Sequence, residues 1–313
     1  MVSWQRRYGR KDLPWQGTRD PYRIWLSEVM LQQTQVATVI PYYERFLARF
    51  PDVFALAAAS EEQVLTLWAG LGYYARGRNL HAAARIIAER GFPQNRDAIS
   101  QLPGVGRSTA AAIAAFAFGE RAAILDGNVK RVLSRRFAVE GEANLWKLAE
   151  QLLPHTGIEP YTQALMDLGA TVCTRTNPRC DSCPVIRSCI ARKENLIHRF
   201  PAPRRRKPLP QKEVTWLVLR HGGEVLLEKR PSPGIWGGLW CFPEAQKNAK
   251  GTLLEPLEHG FTHFRLRIHP LLREVEKKST RVEAPGRIWL DVTDAVDAAV
   301  PAPVKKLIVR LTG

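Results

Sequence analysis

The stretch Leu102-Pro103-Gly104-Val105-Gly106 lies between two helical patterns and decides the fold class of the longer, N-terminal part of the chain. Its glycines allow a sharp turn and leave backbone N–H groups free at the start of the next helix, where they suit a phosphate. A dinucleotide-binding loop is excluded because no strand precedes it, and Thr109 and Ala110 stand where a third glycine is needed. Two interpretations remain, a helix-hairpin-helix contact with the DNA backbone and a simple helix connector.

Helical periodicity extends on both sides of this loop, from Asp20 to Cys173. Asp20 and Pro21 are typical of a helix start. Ser60 with Gln63 forms a capping-box pair, because the hydroxyl and the amide each satisfy a free backbone N–H. Strand-like alternation is missing here, so the pattern predicts an all-α domain.

The composition changes after Asn195. The following segment, up to Lys212, has no acidic residue, four prolines and the basic run 204–207. It predicts a linker, either a solvated connector or one that contacts backbone phosphates.

Beyond Glu213 the pattern is that of strands: Val214–Leu219, a Gly222-Gly223 turn and Val225–Leu227 predict a β-hairpin at the start of a mixed α and β domain. We therefore expect a helical domain over residues 1–195, a basic linker over 196–212 and a smaller α/β domain over 213–313.

The charge balance indicates a polyanionic partner. Lys and Arg number 46 against 30 Asp and Glu, a formal net charge of +16, so nucleic acid is the first expectation. The first residues lack the apolar core of a secretory signal. The longest apolar run, Ala110–Phe118, is far shorter than the roughly 20 residues that span a bilayer. We expect a cytoplasmic, bacterial-type protein associated with the nucleoid and without a membrane segment.

Two carboxylates are candidates for catalysis. Releasing a base from deoxyribose needs a proton donor for the purine and negative charge near an oxocarbenium-like sugar. Glu28 lies in an otherwise apolar and amide-rich helix, where burial would raise its pKa; the alternative is a solvated surface residue. Asp126 precedes a helical run and is either an N-cap alone or a rigid, ionised cap that also faces the sugar.

Four cysteines, Cys173, Cys180, Cys183 and Cys189, follow the spacing C-x6-C-x2-C-x5-C and indicate a metal site over 173–189. The residues alone leave an iron-sulfur cluster and zinc both open, since the paired spacing typical of zinc modules occurs once. Arg175, Arg179 and Arg187 lie in the intervening loops, where a braced loop would present them to phosphates.

Together these residues resemble the adenine-specific branch of the helix-hairpin-helix base-excision glycosylases. The matching motifs occur in order along nearly the whole chain: Leu13–Trp15, Trp25–Gln35, Gly70–Tyr74, Leu102–Thr109, Leu125–Val132 and the four cysteines. The resemblance implies a multidomain fold, with an all-α helix-hairpin-helix glycosylase domain that carries an iron-sulfur loop and a smaller α/β Nudix-like C-terminal domain. It also implies that Glu28 handles the proton transfers, that Asp126 stabilises or transiently traps the sugar cation, and that the cysteines bind a [4Fe-4S] cluster.

The same resemblance assigns residues to DNA binding. Gln33 and Tyr73 would wedge into the duplex and support the flipped base, although Tyr73 could instead be a core aromatic. The expected DNA contacts also include Gly104, Gly106, Ser108 and Lys130. Ser108 occupies the position of the lysine that gives the sister endonuclease III branch its strand-cleaving Schiff base. A monofunctional enzyme is therefore expected. The rival interpretation is a bifunctional glycosylase with lyase activity on oxidised pyrimidines. The nearby Lys130 would allow weak lyase activity.

The C-terminal domain is similar to the Nudix-related module of this family, which reads oxidised guanine opposite the adenine. Phe261, Thr262 and His263 occupy its recognition loop, where Ser is more usual than Thr262. The acidic core of an active Nudix box is missing after Trp240, so this domain is expected to bind rather than cut. The predicted substrate is double-stranded DNA with adenine opposite 8-oxoguanine or guanine, acted on by a monomer. A second rival is a non-catalytic iron-sulfur protein that binds DNA.

Overall fold

The computed structural model describes residues 1–202, 208–232, 234–276 and 286–312. The chain divides into two units, the helical unit (Met1–Ala57 and Ala82–Arg205) and the sheet unit (Ala58–His81 and Arg206–Gly313). The basic run 204–207 lies outside the described residues. The sequence analysis placed residues 1–195 in one domain, whereas in the structure residues 58–81 belong to the sheet unit. The physical reason is burial, because Leu65 enters the hydrophobic core of the sheet unit.

Helices account for nearly all regular structure up to residue 193. They are α1 (Val2–Tyr8), α2 (Pro21–Leu31), α3 (Val36–Arg49), α4 (Val53–Ala58), α5 (Glu61–Trp68), α6 (Ala75–Arg90), α7 (Arg96–Ile99), α8 (Arg107–Phe118), α9 (Gly127–Phe137), α10 (Glu142–Gln151), α11 (Ile158–Asp167) and α12 (Ile190–Lys193). A π-helical turn over Leu168–Val172 and short 3-10 turns over Cys180–Ser182 and Ile186–Ser188 complete this part.

The predicted helix starts are confirmed. Asp20 caps α2 by accepting a hydrogen bond from Tyr22 N at 2.9 Å, with Pro21 in the first turn. Ser60 and Gln63 form both bonds of the capping box. These caps satisfy N–H groups that a helix start leaves unpaired, so short sequence motifs place the helix ends correctly.

The core of the helical unit includes the packing of α2 against α8. Trp25, Leu26 and Met30 of α2 are fully buried. From residue 110 to 115, α8 is alanine apart from Ile113, and all six side chains are buried. Small side chains let two helix backbones approach closely, which holds the end of α2 and the start of α8 in a fixed geometry.

The sheet unit is built on the strands β1 (Gln211–His221), β2 (Glu224–Lys229), β3 (Trp240–Cys241), β4 (Thr252–Leu253), β5 (Leu257–Gly260), β6 (Arg265–Glu274) and β7 (Arg287–Asp291), followed by α13 (Val292–Asp297) and α14 (Ala302–Thr312). Within the described residues the order is β3-β2-β1-β6-β4, with β5 beside β6 and β7 beside β2.

The predicted hairpin is confirmed, since β1 and β2 pair antiparallel across Gly222 and Gly223. Strand β1 begins at Gln211, inside the segment predicted as linker. Only the hairpin was predicted, and among the other pairings is the parallel one of β1 with β6, from Gln211 opposite Arg265 to Arg220 opposite Glu274. Its partners lie far apart in the chain, beyond the reach of a local turn signal.

Among the described residues, no helix combines the length and the apolar character needed to cross a membrane.

Candidate functional site

Glu28 lies on α2 and lines a pocket of about 300 Å³ in the helical unit. Its neighbours Ser27 and Val29 are buried. Burial of the carboxyl and, secondarily, the negative charge of Asp126 raise the pKa of Glu28 to about 8. Glu28 is therefore a neutral carboxylic acid near neutral pH and not a solvated surface carboxylate.

Asp126 is the N-cap of α9, as predicted. Its Oδ1 accepts a hydrogen bond from Val129 N at 2.8 Å, and its Oδ2 accepts one from Asn128 Nδ2 at 3.2 Å. Burial raises the pKa of Asp126, while these hydrogen bonds and the charge of Arg131 oppose that shift. The carboxylate is thus fixed in orientation within electrostatic reach of Glu28.

The pocket beside Glu28 has walls from four parts of the helical unit. Its lining includes Lys11, Trp15, Leu31, Phe116, Glu159 and Gln163. The segment before α2 is anchored by the fully buried Asp167, which accepts hydrogen bonds from Arg10 N at 3.1 Å and Arg10 Nε at 2.8 Å. An aromatic and apolar cleft with a few polar groups suits a planar, hydrogen-bonding ligand.

The glycine-rich loop joins α7 to α8. Gly104 has a φ of +77°, in the left-handed region that favours glycine. Gly106 is the N-cap of α8 and supplies no side-chain cap, so the first N–H groups of that helix remain available to an anion. Gln32, just after α2, donates from Nε2 to Gly104 O at 3.4 Å and to Thr109 Oγ1 at 3.3 Å. The loop is thereby joined to the helix that carries Glu28.

Gln33 and Tyr73 share an unusual backbone conformation. Each has a positive φ, 57° for Gln33 and 49° for Tyr73, and each is exposed. Arg76 donates from Nη2 to Leu71 O and Gly72 O at 3.2 Å and so holds the loop that presents Tyr73. Tyr73 is 44% exposed and is not a core aromatic. Strained backbone at exposed side chains is typical of functional loops.

The four clustered cysteines border one small cavity of the helical unit: Cys173, Cys180, Cys183 and Cys189. Burial is the main cause that raises the pKa of the Cys180 and Cys183 thiols, and the charges of Cys173 and Cys189 raise it further. The sulfur atoms are therefore within electrostatic reach of one another. In the described part of the chain, no three or more His, Cys, Asp or Glu side chains are placed to hold a single metal ion. The four thiols therefore form one set of candidate ligands around this cavity.

Two arginines of α9 support the cysteine loop. Arg131 donates to Cys173 O and Gly169 O, both at 2.6 Å. Arg135 donates to Thr174 O at 2.7 Å and approaches Cys173 Sγ at 3.4 Å. The helix capped by Asp126 at one end thus holds the cysteine loop along its side.

The segment Phe261–His263 connects β5 to β6 in the sheet unit. The Phe261 ring stacks on Phe264 with centroids 4.4 Å apart, and lies 5.4 Å from Trp236 and 4.7 Å from His259. A pocket of about 570 Å³ is bordered by all three loop residues together with Tyr73, Arg78 and Trp236. Thr262 and His263 are exposed at its edge. The arrangement offers aromatic faces and hydrogen-bonding groups for a base.

Comparison with known proteins assigns both parts of the chain. Residues 26–155 match the family model "HhH-GPD superfamily base excision DNA repair protein", and residues 214–310 match the NUDIX domain model. The adenine DNA glycosylase of Buchnera aphidicola subsp. Baizongia pistaciae is 37% identical over 99% of this chain and 95% of its own length. The human adenine DNA glycosylase is 35% identical over 98% of this chain and 72% of its own.

The chain belongs to the adenine DNA glycosylase family. It is accordingly an enzyme of base excision repair that acts on DNA and hydrolyses N-glycosidic bonds. The predicted fold class is confirmed, with a helix-hairpin-helix glycosylase domain followed by a Nudix-like domain.

Solved structures agree on the helical part. A thermostable thymine-DNA glycosylase is 30% identical, with a TM-score of 0.57 over 62% of this chain and 93% of its own. A non-covalent endonuclease III–DNA complex, 24% identical with a TM-score of 0.52 over 57% of this chain and 87% of its own, shares the fold.

Two predicted DNA contacts of this glycosylase also have structural partners within the chain. Ser108 Oγ accepts a hydrogen bond from Leu125 N at 2.9 Å, which ties the start of α8 to the residue before Asp126. Lys130 Nζ forms an ion pair with Glu142 at 2.9 Å.

Sequence reasoning missed three residues that hold the site in place. Gln32 and Arg131 do so through bonds to residues distant in the chain, whereas Asn128 holds Asp126 two residues before it. All three lie inside the stretches Trp25–Gln35 and Leu125–Val132, so proximity to the candidate carboxylates was the one available signal.

Proposed function

We propose that this glycosylase hydrolyses the N-glycosidic bond of adenine mispaired with 8-oxoguanine or guanine, acting as a monomer without strand cleavage. The observation that carries the proposal is a neutral Glu28, with its pKa raised to about 8, on the wall of a pocket of about 300 Å³. Pockets of this size accommodate a small planar ligand. Flipping a mispaired base into such a pocket costs a few kcal/mol of stacking and pairing.

Glu28 acts as the general acid. It donates its proton to the purine as the bond between C1′ and the base nitrogen breaks, and the bonding electron pair leaves with adenine. The sugar becomes an oxocarbenium ion. Glu28, now a carboxylate, accepts a proton from the water that adds to C1′, which restores the acid and yields an abasic sugar.

Asp126 stabilises the cationic sugar between these steps. Support comes from its rigid placement, since Val129 N and Asn128 Nδ2 each hold one carboxylate oxygen. A fixed negative charge lowers the energy of a developing cation without reorganisation at the moment of reaction. Transient covalent capture of C1′ by the same carboxylate leads to the same hydrolysis product.

The remaining predicted contacts hold the duplex. Gly104 and Gly106 offer backbone N–H groups to a phosphate, and Ser108 and Lys130 lie at the starts of the two helices that flank the site. Gln33 and Tyr73 enter the duplex from exposed, strained turns.

Absence of lyase activity follows from Ser108, because a hydroxyl cannot form a Schiff base. The nearby amine, Lys130, is engaged by Glu142. Borohydride should therefore trap no enzyme–DNA adduct during steady turnover. A trapped adduct lost in Lys130→Ala would establish the rival bifunctional mechanism.

The opposite base is recognised by Phe261, Thr262 and His263. The stacked aromatic rings and the two exposed polar side chains at the pocket edge support this assignment. Phe261→Ala and His263→Ala should each reduce the preference for 8-oxoguanine over guanine opposite adenine. An unchanged preference would remove this loop from recognition.

A [4Fe-4S] cluster would be held by Cys173, Cys180, Cys183 and Cys189. The supporting observations are their common cavity and the C-x6-C-x2-C-x5-C spacing that the chain shares with the family it resembles. When bound, the cluster cross-links the four thiolates and braces the loop. Purified protein should be brown, and a colourless sample with stoichiometric zinc would overturn the assignment.

The deciding experiment is excision on duplexes with adenine opposite 8-oxoguanine, guanine or thymine, run with and without alkaline workup. Cleavage only after alkali, on the first two duplexes, is expected. Glu28→Gln should abolish excision and keep duplex binding. Excision by this variant at near-native rate would exclude Glu28 as the acid.

A further inference from the structure

Residues 58–81, which present Tyr73, are built into the sheet unit. Leu65 of α5 is fully buried in the same hydrophobic cluster as Trp216 and Trp240, and Tyr74 packs against that cluster. The loop that carries Tyr73 and the loop 261–263 therefore belong to one folded unit, although nearly 190 residues separate them in the chain.

Glu62 links α5 to two strands of the sheet. Its Oε1 accepts a hydrogen bond from Trp240 Nε1 at 2.6 Å, and its Oε2 accepts one from Lys229 Nζ at 3.0 Å. The Lys229 ammonium also lies 5.2 Å from the centroid of the Trp240 ring. Burial alone would raise the pKa of Glu62, but the bonds from Trp240 and Lys229 outweigh it and lower the pKa. The carboxylate is held ionised in one place.

A second connection runs close to Glu62. Arg78 donates from Nη1 to Gly237 O at 2.6 Å. Gly238, with a φ of +79°, lies so close to α5 that an added Cβ would be 3.0 Å from Glu61 Oε1 and 3.2 Å from Leu65 Cδ1. Trp236, which precedes Gly237, is one of the rings against which Phe261 packs. Helix α5 therefore lies beside the segment whose Trp236 supports the recognition loop.

We propose that Glu62 is a positioning residue that sets how Tyr73 and the loop 261–263 meet around the base opposite the adenine. The inference rests on the proposed recognition of 8-oxoguanine by that loop. Glu62 touches neither base. It acts through Trp240 and Lys229, and its effect is confined to the discrimination between opposite bases.

The test compares single-turnover excision of adenine opposite 8-oxoguanine and opposite guanine. Glu62→Ala should lower the first rate about tenfold, the loss expected from one charged hydrogen bond, and leave the second rate unchanged. Glu62→Gln keeps an oxygen acceptor for Trp240 and should retain most of the preference. Trp240→Phe should reproduce the Glu62→Ala defect, and the double variant should lose no more. Glu89→Ala, which removes a carboxylate from an exposed position of α6, is the matched control.

Three results would overturn the proposal. A folded Glu62→Ala enzyme with full preference excludes the role of Glu62 and leaves the recognition loop standing. Equal loss of both rates, together with a lowered melting temperature in Glu62→Ala and Glu62→Gln, shows a merely structural residue. A wild-type enzyme that excises adenine equally fast from both duplexes instead refutes the proposed recognition of 8-oxoguanine, and the inference with it.

Discussion

Replacing Glu28 by Gln should inactivate the enzyme and stabilise its fold at the same time. Gln has nearly the shape of a protonated Glu but carries no ionisable proton. In the unfolded chain the Glu28 carboxyl ionises at its ordinary pKa of 4.5, whereas in the folded protein its pKa is raised to about 8. The folded state therefore binds a proton that the unfolded state has released, and wild-type stability falls as the pH rises between these values.

The size of the effect follows from the same two values. One pKa unit corresponds to about 1.4 kcal/mol, so at about pH 7 the proton uptake by Glu28 opposes folding by about 3 kcal/mol. Because solvent reaches the pocket, this figure is an upper bound. Glu28→Gln should match the wild type in stability near pH 4.5, gain up to about 3 kcal/mol at pH 7, and gain no more above pH 8.

Urea unfolding followed by circular dichroism at several pH values measures this gain. The control is Glu44→Gln, which removes the same charge from an exposed position on α3 of this basic protein. A Glu28→Gln variant that is less stable than wild type at pH 7, or equally stable at every pH, would refute the assignment of Glu28 as a buried neutral acid. Single-turnover excision by the same samples should fall by at least about 100-fold.

Further predictions concern the pH profile, the cysteines and the ion pair between Arg10 and Asp167. The excision rate should decline as the pH rises through about 8, because Glu28 then loses its proton. The rate should also decline in acid, where Asp126 becomes neutral, since burial raises the pKa of Asp126. A flat profile across pH 7 to 9 would contradict this. Cys183→Ser should lose iron and visible absorption, whereas Cys241→Ser, at a buried position in the sheet unit, should keep both. Asp167→Ala should lower the free energy of unfolding by about 3 kcal/mol, because it leaves the arginine partner without its buried carboxylate; a loss below about 1 kcal/mol in urea unfolding would show that the pair is dispensable.

Signals confined to a few neighbouring residues were enough for much of the architecture. The caps at Asp20 and Ser60 and the turn at Gly222 are each satisfied by contacts within a short segment. Such contacts form whenever the local backbone takes its preferred shape, so the sequence alone determined the helical part and the hairpin. The roles of Glu28 and Asp126 came from the resemblance to the glycosylase family and stay predictions.

What only the tertiary structure decided depends on groups that are distant in the chain. The pKa of Glu28 is set by how much solvent the surrounding helices exclude, and the place of residues 58–81 by the burial of Leu65. The parallel pairing of β1 with β6 joins residues 54 positions apart, such as Gln211 and Arg265. Desolvation and packing are sums over many partners, and no short pattern records which distant residues will supply them.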